Sequence, residues 1–324
     1  MALRVLVTGR GSIAMRHVRH LRQQRPDVVL GVVSGTGQVD ASFEPCDILP
    51  DFAQGLRWKP DAVVIASVSS RHANELLACL DLGLPCLAEK PLVTQRAALA
   101  QLLAARDAAR TQAAVLVGCN LRYLPVLARV RSMLRDGALG IIVRAHLEVG
   151  QALAQWRPAR DATATYSADP ELGGGVVFDL VHEIDMALWL LGPLTVCGAI
   201  GGRHGPLTIR SDDVHVALLQ DSNCRPVTVS LDYVSCRPVR RYVFVGANGT
   251  LICDLMSRQL VLEGRTGCEV ITFAPEDFDV SATYGLQMSD WLRALDMPAH
   301  GLTSPLADAF ATADLMLSMK EAAT

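Results

Sequence analysis

The stretch from Arg4 to Ala14 constrains this chain more than any other. An apolar, β-branched run at Arg4–Thr8 breaks straight into Gly9-Arg10-Gly11-Ser12-Ile13-Ala14, and from Ile13 onward the apolar residues recur with a helical period. A strand that ends on two glycines and re-enters as a helix must reverse within a few residues and lay that helix back on its own sheet. Gly9 permits the tight turn, Gly11 lets the backbone approach an anion, and Ala14 is small enough for helix to pack on strand. The helix N-terminus then faces the same space with its N–H groups, a natural seat for phosphate. GxGxxA is a weak signal alone. Between a strand and a helix near the start of the chain it reads as a dinucleotide-binding turn, with a ligand-free glycine turn as the alternative.

The first third repeats that unit. Strands are expected at Arg4 to Thr8, Val28 to Ser34, Ala62 to Ala66, Pro85 to Glu89 and Ala114 to Gly118. Helical patterns lie between them at Ile13 to Gln23, His72 to Leu82 and Thr94 to Ala109, and Gly83 with Pro85 marks a helix stop. Such alternation predicts a parallel, doubly wound α/β sheet of the Rossmann type. After Cys119 the pattern changes. A helix is expected at Pro125 to Asp136, a strand at Ile142 to Val149, a polar loop to Gly175, and a helix at Asp179 to Leu191. Several strands follow from Val196 to Ile271, with an Asn248-Gly249 hairpin signal, and two helices near Gly285 to Leu295 and Pro305 to Ala322. A chain of 324 residues, half of them hydrophobic, supports two cores, which we expect at residues 1–120 and 121–324.

The formal charge of −3 gives no electrostatic reason to expect nucleic acid or an anionic membrane as partner. The nine cysteines form no CxxC pair, and Cys79, Cys86, Cys119 and Cys253 sit in apolar runs, as reduced buried thiols do. The first strand starts almost at once, with no signal-like segment, and no apolar stretch reaches ~18 residues, so a cytoplasmic protein is expected. Cys and His show neither metal spacing nor a nucleophile elbow, so no metal is expected.

Arg10, Arg16 and His17 crowd the positive end of the first helix, where each cation is unfavourable by ~0.3 to 1 kcal/mol unless an anion is present. That suggests a bound phosphate; solvent-facing residues are the alternative. The position that holds an acidic residue in many NAD-specific folds falls here in neutral Ser34-Gly35-Thr36. With Arg10 free to pair with a 2′-phosphate, the cofactor is NAD or NADP with a lean towards NADP.

Lys90 ends a strand at the carboxyl edge of the sheet, where ligands bind, and can orient a hydroxyl or stabilise a developing alkoxide; a surface lysine is the alternative. Asp179, His182 and Asp185 are spaced so that neighbours share one helical face. His182 can act as general base with Asp179 fixing its tautomer, or Asp179 can bind substrate or cap the helix and His182 can simply pack. Asn120, Arg122 and Tyr123 lie where the chain leaves the last strand of the sheet, a usual ligand crevice. Trp156, Arg157, Arg160 and Tyr166 combine stacking with anion pairing, suited to sugars and phosphates.

The fingerprint, the run Ile65 to His72, the tripeptide Glu89-Lys90-Pro91, and Gly173-Gly174-Gly175 leading into Asp179 and His182 together resemble the Gfo/Idh/MocA family of oxidoreductases. Gln155 to Pro158, Tyr166-Ser167 and Asp179 to Glu183 resemble members found among bacterial surface-carbohydrate genes. The resemblance implies a C-terminal α+β domain with a large, mostly antiparallel open-faced sheet, and hydride transfer with a sugar, nucleotide-sugar or cyclitol alcohol. It implies Lys90, His182 and Asp179 as catalytic residues. Gly9, Arg10, Gly11, Ser12, Ile13, Ser34, Ala66, Ser67, His72, Glu89, Lys90 and Asn120 would touch the cofactor. Arg122, Tyr123, Trp156, Arg157, Tyr166, Asp179 and His182 would touch the substrate. A homo-oligomer joined through the C-terminal sheet is also implied. Many members put one more residue between acid and histidine than this chain does. A net reaction through transient NAD oxidation, or a non-catalytic NAD(P)-binding regulator, are the rival readings.

Overall fold

The computed structural model describes residues 2–108, 113–156, 161–297 and 299–323. The strands are β1 (Arg4–Thr8), β2 (Val29–Val33), β3 (Asp47–Leu49), β4 (Ala62–Ile65), β5 (Cys86–Ala88), β6 (Val115–Val117), β7 (Ile142–Gly150), β8 (Thr195–Gly202), β9 (Val214–Gln220), β10 (Pro226–Asp232), β11 (Val239–Gly246), β12 (Gly249–Asp254), β13 (Gln259–Gly264) and β14 (Gly267–Ile271). The α-helices are α1 (Ser12–Gln24), α2 (Phe52–Arg57), α3 (Ser69–Leu82), α4 (Arg96–Ala108), α5 (Pro125–Arg135), α6 (Leu153–Trp156), α7 (Val176–Asp179), α8 (Val181–Leu191), α9 (Thr283–Asp296) and α10 (Leu306–Ala322).

Two compact units result. The first comprises Met1–Asn120 and Ser281–Phe310, the second Leu121–Val280 and Ala311–Thr324. The segment Ser281–Phe310, in the span expected of the second domain, thus groups with the first.

In the first unit, six parallel strands stand in the order β3-β2-β1-β4-β5-β6. Val5, Leu6, Val7 and Ala62 through Ile65 are wholly buried, as central strands covered on both faces require. α3 stops where Gly83 takes the left-handed conformation, φ 65°. β3 and α2 are additions to the expected pattern. Both are too short to show a period, and α2 is started by Asp51, whose carboxylate accepts from Gln54 N.

The second unit holds an eight-stranded sheet, β14-β13-β12-β11-β7-β10-β9-β8, antiparallel except where β10 runs beside β7. Its strands alternate. Ala217, Leu219, Val229, Leu231, Leu147, Tyr242, Phe244 and Leu251 are buried, whereas Val216 and Leu218, with Ile200 in the neighbouring strand β8, are exposed. The helix expected from Asp179 to Leu191 is interrupted. Leu180, at φ −98° and ψ 26°, leaves the helical region between α7 and α8, so Asp179 ends one helix and His182 stands in the first turn of the next. The single helical face proposed for Asp179, His182 and Asp185 therefore does not exist. Gly175 caps α7 at φ 131°, so the glycine lead-in opens a separate one-turn helix ahead of α8.

Candidate active site

In the first unit the expected cofactor residues converge on one edge of the parallel sheet. Gly9 through Ile13 follow β1, Ser34 follows β2, Ala66 and Ser67 follow β4, Glu89 and Lys90 follow β5, and Asn120 follows β6. Gly9, at φ 87°, lies so close to β4 that a Cβ would stand 2.2 Å from Ala66 O. At Gly11 a Cβ would meet nothing within 4 Å, and α1 begins there with no side-chain cap and no acid in its first turn. An open space over uncapped helix N–H groups fits a dinucleotide pyrophosphate.

Arg10 Nη1 donates to Thr36 Oγ1 at 2.8 Å and to Gln38 O at 2.9 Å, while Ser34 Oγ donates to Gln38 O at 2.6 Å. Arg10, Gly11, Gln38, Val39 and Asp40 line a groove of about 520 Å³. Asp40 was not foreseen, because the loop after β2 runs several residues past Ser34-Gly35-Thr36 before it returns to the groove. Hydrogen bonds from the backbone and side chain of Ser42 hold the Asp40 carboxyl below its usual value, so the groove carries a carboxylate opposite Arg10. Arg16 and His17 do not share this position. Arg16 stacks on the Tyr284 ring, 4.3 Å from its centroid, and His17 is buried against Glu89.

The loops after β4 and β5 are braced from below. His72 Nδ1 lies 2.9 Å from Pro91 O and Nε2 3.0 Å from Ser67 O, tying Ser67 to the Lys90 segment. Glu75 accepts from Thr8 Oγ1 at 2.7 Å and Ser67 Oγ at 2.9 Å, linking the ends of β1 and β4. Asn120 Nδ2 donates to Thr283 Oγ1 of α9 at 2.7 Å. Lys90 itself is half-buried. The roles of Thr8, Glu75 and Thr283 were not legible in sequence, since no motif contains them.

In the second unit, His182 is half-buried while its neighbours Val181, Glu183, Ile184 and Asp185 are buried. Asp179 Oδ2 accepts from the Tyr233 hydroxyl at 2.7 Å. Burial and then the Asp179 charge push the Tyr233 phenol well above its ordinary value, so it stays a donor. The Trp156 ring meets Tyr233 edge-on at 5.3 Å. Tyr166 is half-buried, and its carbonyl sits so close to Gly174 that a Cβ there would be 2.1 Å away. Trp156, Tyr166, the glycines and Asp179 are thus one cluster, closed by Tyr233. Arg122 is placed differently: its Nε and Nη2 donate to Asp185 at 2.9 and 2.6 Å, in a pair almost wholly buried, with Thr312 Oγ1 donating to Asp185 as well. Tyr123 is half-buried beside it in sequence. Arg157 and Arg160 lie outside the described residues.

Residues 3–119 match the oxidoreductase family with an NAD-binding Rossmann fold, and residues 127–252 match the GFO/IDH/MocA C-terminal domain. The chain belongs to the Gfo/Idh/MocA family of oxidoreductases. Inositol 2-dehydrogenase of Acidothermus cellulolyticus is 28% identical over 310 residues, which cover 90% of this chain and 84% of that protein. Among solved structures, levoglucosan dehydrogenase in complex with NADH and levoglucosan superposes with a TM-score of 0.85 at 17% identity, covering 100% and 97% of the two chains. The WlbA dehydrogenase from Bordetella pertussis, in complex with NADH and UDP-GlcNAcA, gives 0.82 at 17% identity, with 99% and 95% covered.

As a Gfo/Idh/MocA protein, the chain is an NAD-binding oxidoreductase. The Rossmann and C-terminal sheet expectations are met. All nine cysteines are free thiols; the four expected inside are buried, whereas Cys197, Cys224, Cys236 and Cys268 are exposed on the second unit. Among the described residues, no helix is long and apolar enough to cross a membrane.

Proposed function

We propose that this chain interconverts a secondary alcohol and ketone on a sugar, nucleotide-sugar or cyclitol. Residues 1–120 carry the dinucleotide, and the substrate groups come from residues 121–324. The observation that carries the reading is that the fingerprint turn and Lys90 stand on one carboxyl edge of a single parallel sheet. When bound, the nicotinamide supplies or accepts the hydride. Lys90 orients the hydroxyl and stabilises negative charge on its oxygen. His182, in the first turn of α8 where the helix dipole favours the neutral ring, takes the proton. Asp179 is held by Tyr233 and so acts on the substrate as a fixed acceptor, with the Trp156 ring against Tyr233. Tyr123, Tyr166 and Arg157 complete the substrate contacts, while Arg122 sets the position of α8 through Asp185.

Arg10 favours a 2′-phosphate and the Asp40 carboxylate opposes one, and the lean towards NADP rests on Arg10 together with the neutral Ser34-Gly35-Thr36 stretch. The protein acts in the cytoplasm as a homo-oligomer. The open sheet face with Ile200, Val216 and Leu218 exposed, set against the buried alternate face, supports that assembly.

The test is to titrate the chain with NAD and NADP, then follow NAD(P)H absorbance with myo-inositol, levoglucosan and UDP-N-acetylglucosaminuronic acid. Turnover with at least one of these cyclitol, sugar or nucleotide-sugar substrates is expected, and NADP binding at least as tight as NAD. Binding of neither nucleotide would overturn the reading, and a clear NAD preference would overturn the NADP lean alone.

A further inference from the structure

The end of β5 carries a buried charge that the proposed reaction does not yet use. His17, on α1, is fully buried, and its Nε2 lies 2.7 Å from Glu89 Oε1. His17 Nδ1 is buried with no hydrogen-bond partner. An imidazolium would therefore leave a buried N–H donor unmet, whereas a neutral ring protonated at Nε2 leaves only a lone pair. The proton stands on Nε2 and donates to Glu89, and the carboxylate is the charged member of the pair. Its other oxygen accepts from the Lys90 backbone N–H at 3.2 Å. The chain just after β6 admits that oxygen only because Gly118 has no side chain, since a Cβ would stand 2.9 Å from Oε2. Burial works against the Glu89 charge, while the hydrogen bond from His17, with Lys90 and His72 nearby, works for it.

In this strand order the adenosine end of a bound dinucleotide would lie on the β2 side of the switch point between β1 and β4, where Arg10 meets Thr36, and the nicotinamide end on the β4 to β6 side. The oxidised nicotinamide ring is positively charged and the reduced ring is neutral. A lone ammonium at the end of β5 would repel the oxidised form selectively.

We propose that Glu89, held in place and ionised by His17, is a positioning residue that offsets the Lys90 ammonium and so lets the site take the oxidised nicotinamide as readily as the reduced one. This rests on the oxidoreductase reading above. His17 acts only through Glu89. The pair explains why a histidine on the glycine-turn helix faces away from the phosphate: its partner is the residue before the site lysine.

The test is the ratio of Kd for NAD+ to Kd for NADH, measured by calorimetry on the full chain. E89Q keeps the side-chain volume and removes the charge. It should raise the ratio on the order of tenfold, the weight of one unit charge felt from roughly 10 Å at an effective dielectric of about 20. H17L should move the ratio the same way, whereas H17Q, whose amide N–H stands in for Nε2–H, should keep it near the unaltered value. K90M, at a half-buried position, should shift the ratio in the opposite direction, and in the E89Q background should return it towards the start. An unmoved ratio in E89Q that binds both nucleotides, or in K90M should E89Q not fold, overturns this inference alone. Failure of the unaltered chain to bind either nucleotide overturns the oxidoreductase reading with it.

Discussion

The turn after β1 and the helix α8 look alike in sequence, each a glycine-rich lead-in followed by polar residues on a helix, yet they are built on opposite principles. At the β1 turn the glycines act by leaving space: Gly9 abuts Ala66 O, and Gly11 faces open room over the α1 N-terminus. In α8 the acids act by being filled. Glu183 accepts from Arg240 and Tyr242, and Asp185 from Arg122 and Thr312, whereas Asp179, just ahead of α8, accepts from Tyr233 through Oδ2. His182 is the ionisable side chain of that stretch left half-buried. A cluster of ionisable residues in a motif is thus mostly scaffold in one region, while the other region leaves open space at its glycines.

The comparison breaks first at Gly11. Gly11→Val adds a side chain to open space, so the fold should stand with unchanged thermal midpoint while dinucleotide binding is abolished by collision with the pyrophosphate. Calorimetric affinity equal to that of the unaltered chain would remove the binding role of the turn. Next in size is Arg122→Met, which leaves Asp185 buried without its cation. Loss of about 3 to 5 kcal/mol of stability is expected in denaturant titration, with nucleotide affinity of the folded fraction kept. Were stability unaffected and only the substrate KM raised, Arg122 would belong to the substrate and α8 would not be the filled scaffold described.

His182→Asn sharpens the contrast within α8. Turnover should fall by ~10² or more, since general-base catalysis is lost, with little change in stability or cofactor affinity. A stable variant that binds NAD(P) normally and retains its rate would show that His182 is not the base. The smallest effect is expected at His215, a buried histidine on β9 whose Nε2 has no hydrogen-bond partner. Burial lowers its pKa below 6.5, with the Asp212 charge opposing and Lys320 adding to the fall. The unfolded chain then binds the proton more readily than the fold. Stability is fully present above pH 6.5 and declines as pH drops below it towards the folded value. His215→Asn should flatten that decline, as read from denaturant midpoints across the mildly acidic range; an unchanged slope would assign it to other groups.

What the sequence determined by itself was local. The β1 turn, the stop at Gly83, the alternation of the first-unit strands and the buried cysteines follow from sterics and periodicity between residues a few positions apart, and they are where expectation and structure agree. The break at Leu180, the return of Ser281–Phe310 to the first unit, and Asp40 in the groove beside Arg10 were not legible, because no short period encodes them. The charged residues show the division most clearly. Their types in the chain named Asp179, Arg122, His17 and Glu89 as candidates, but their duties were set by partners 54, 63 and 72 residues away. A buried charge must find its counterpart wherever the fold brings one near, and that distance in the chain leaves no mark on either residue's neighbours. Only the tertiary structure could decide which carboxylates were already satisfied and which side chains remained to do chemistry.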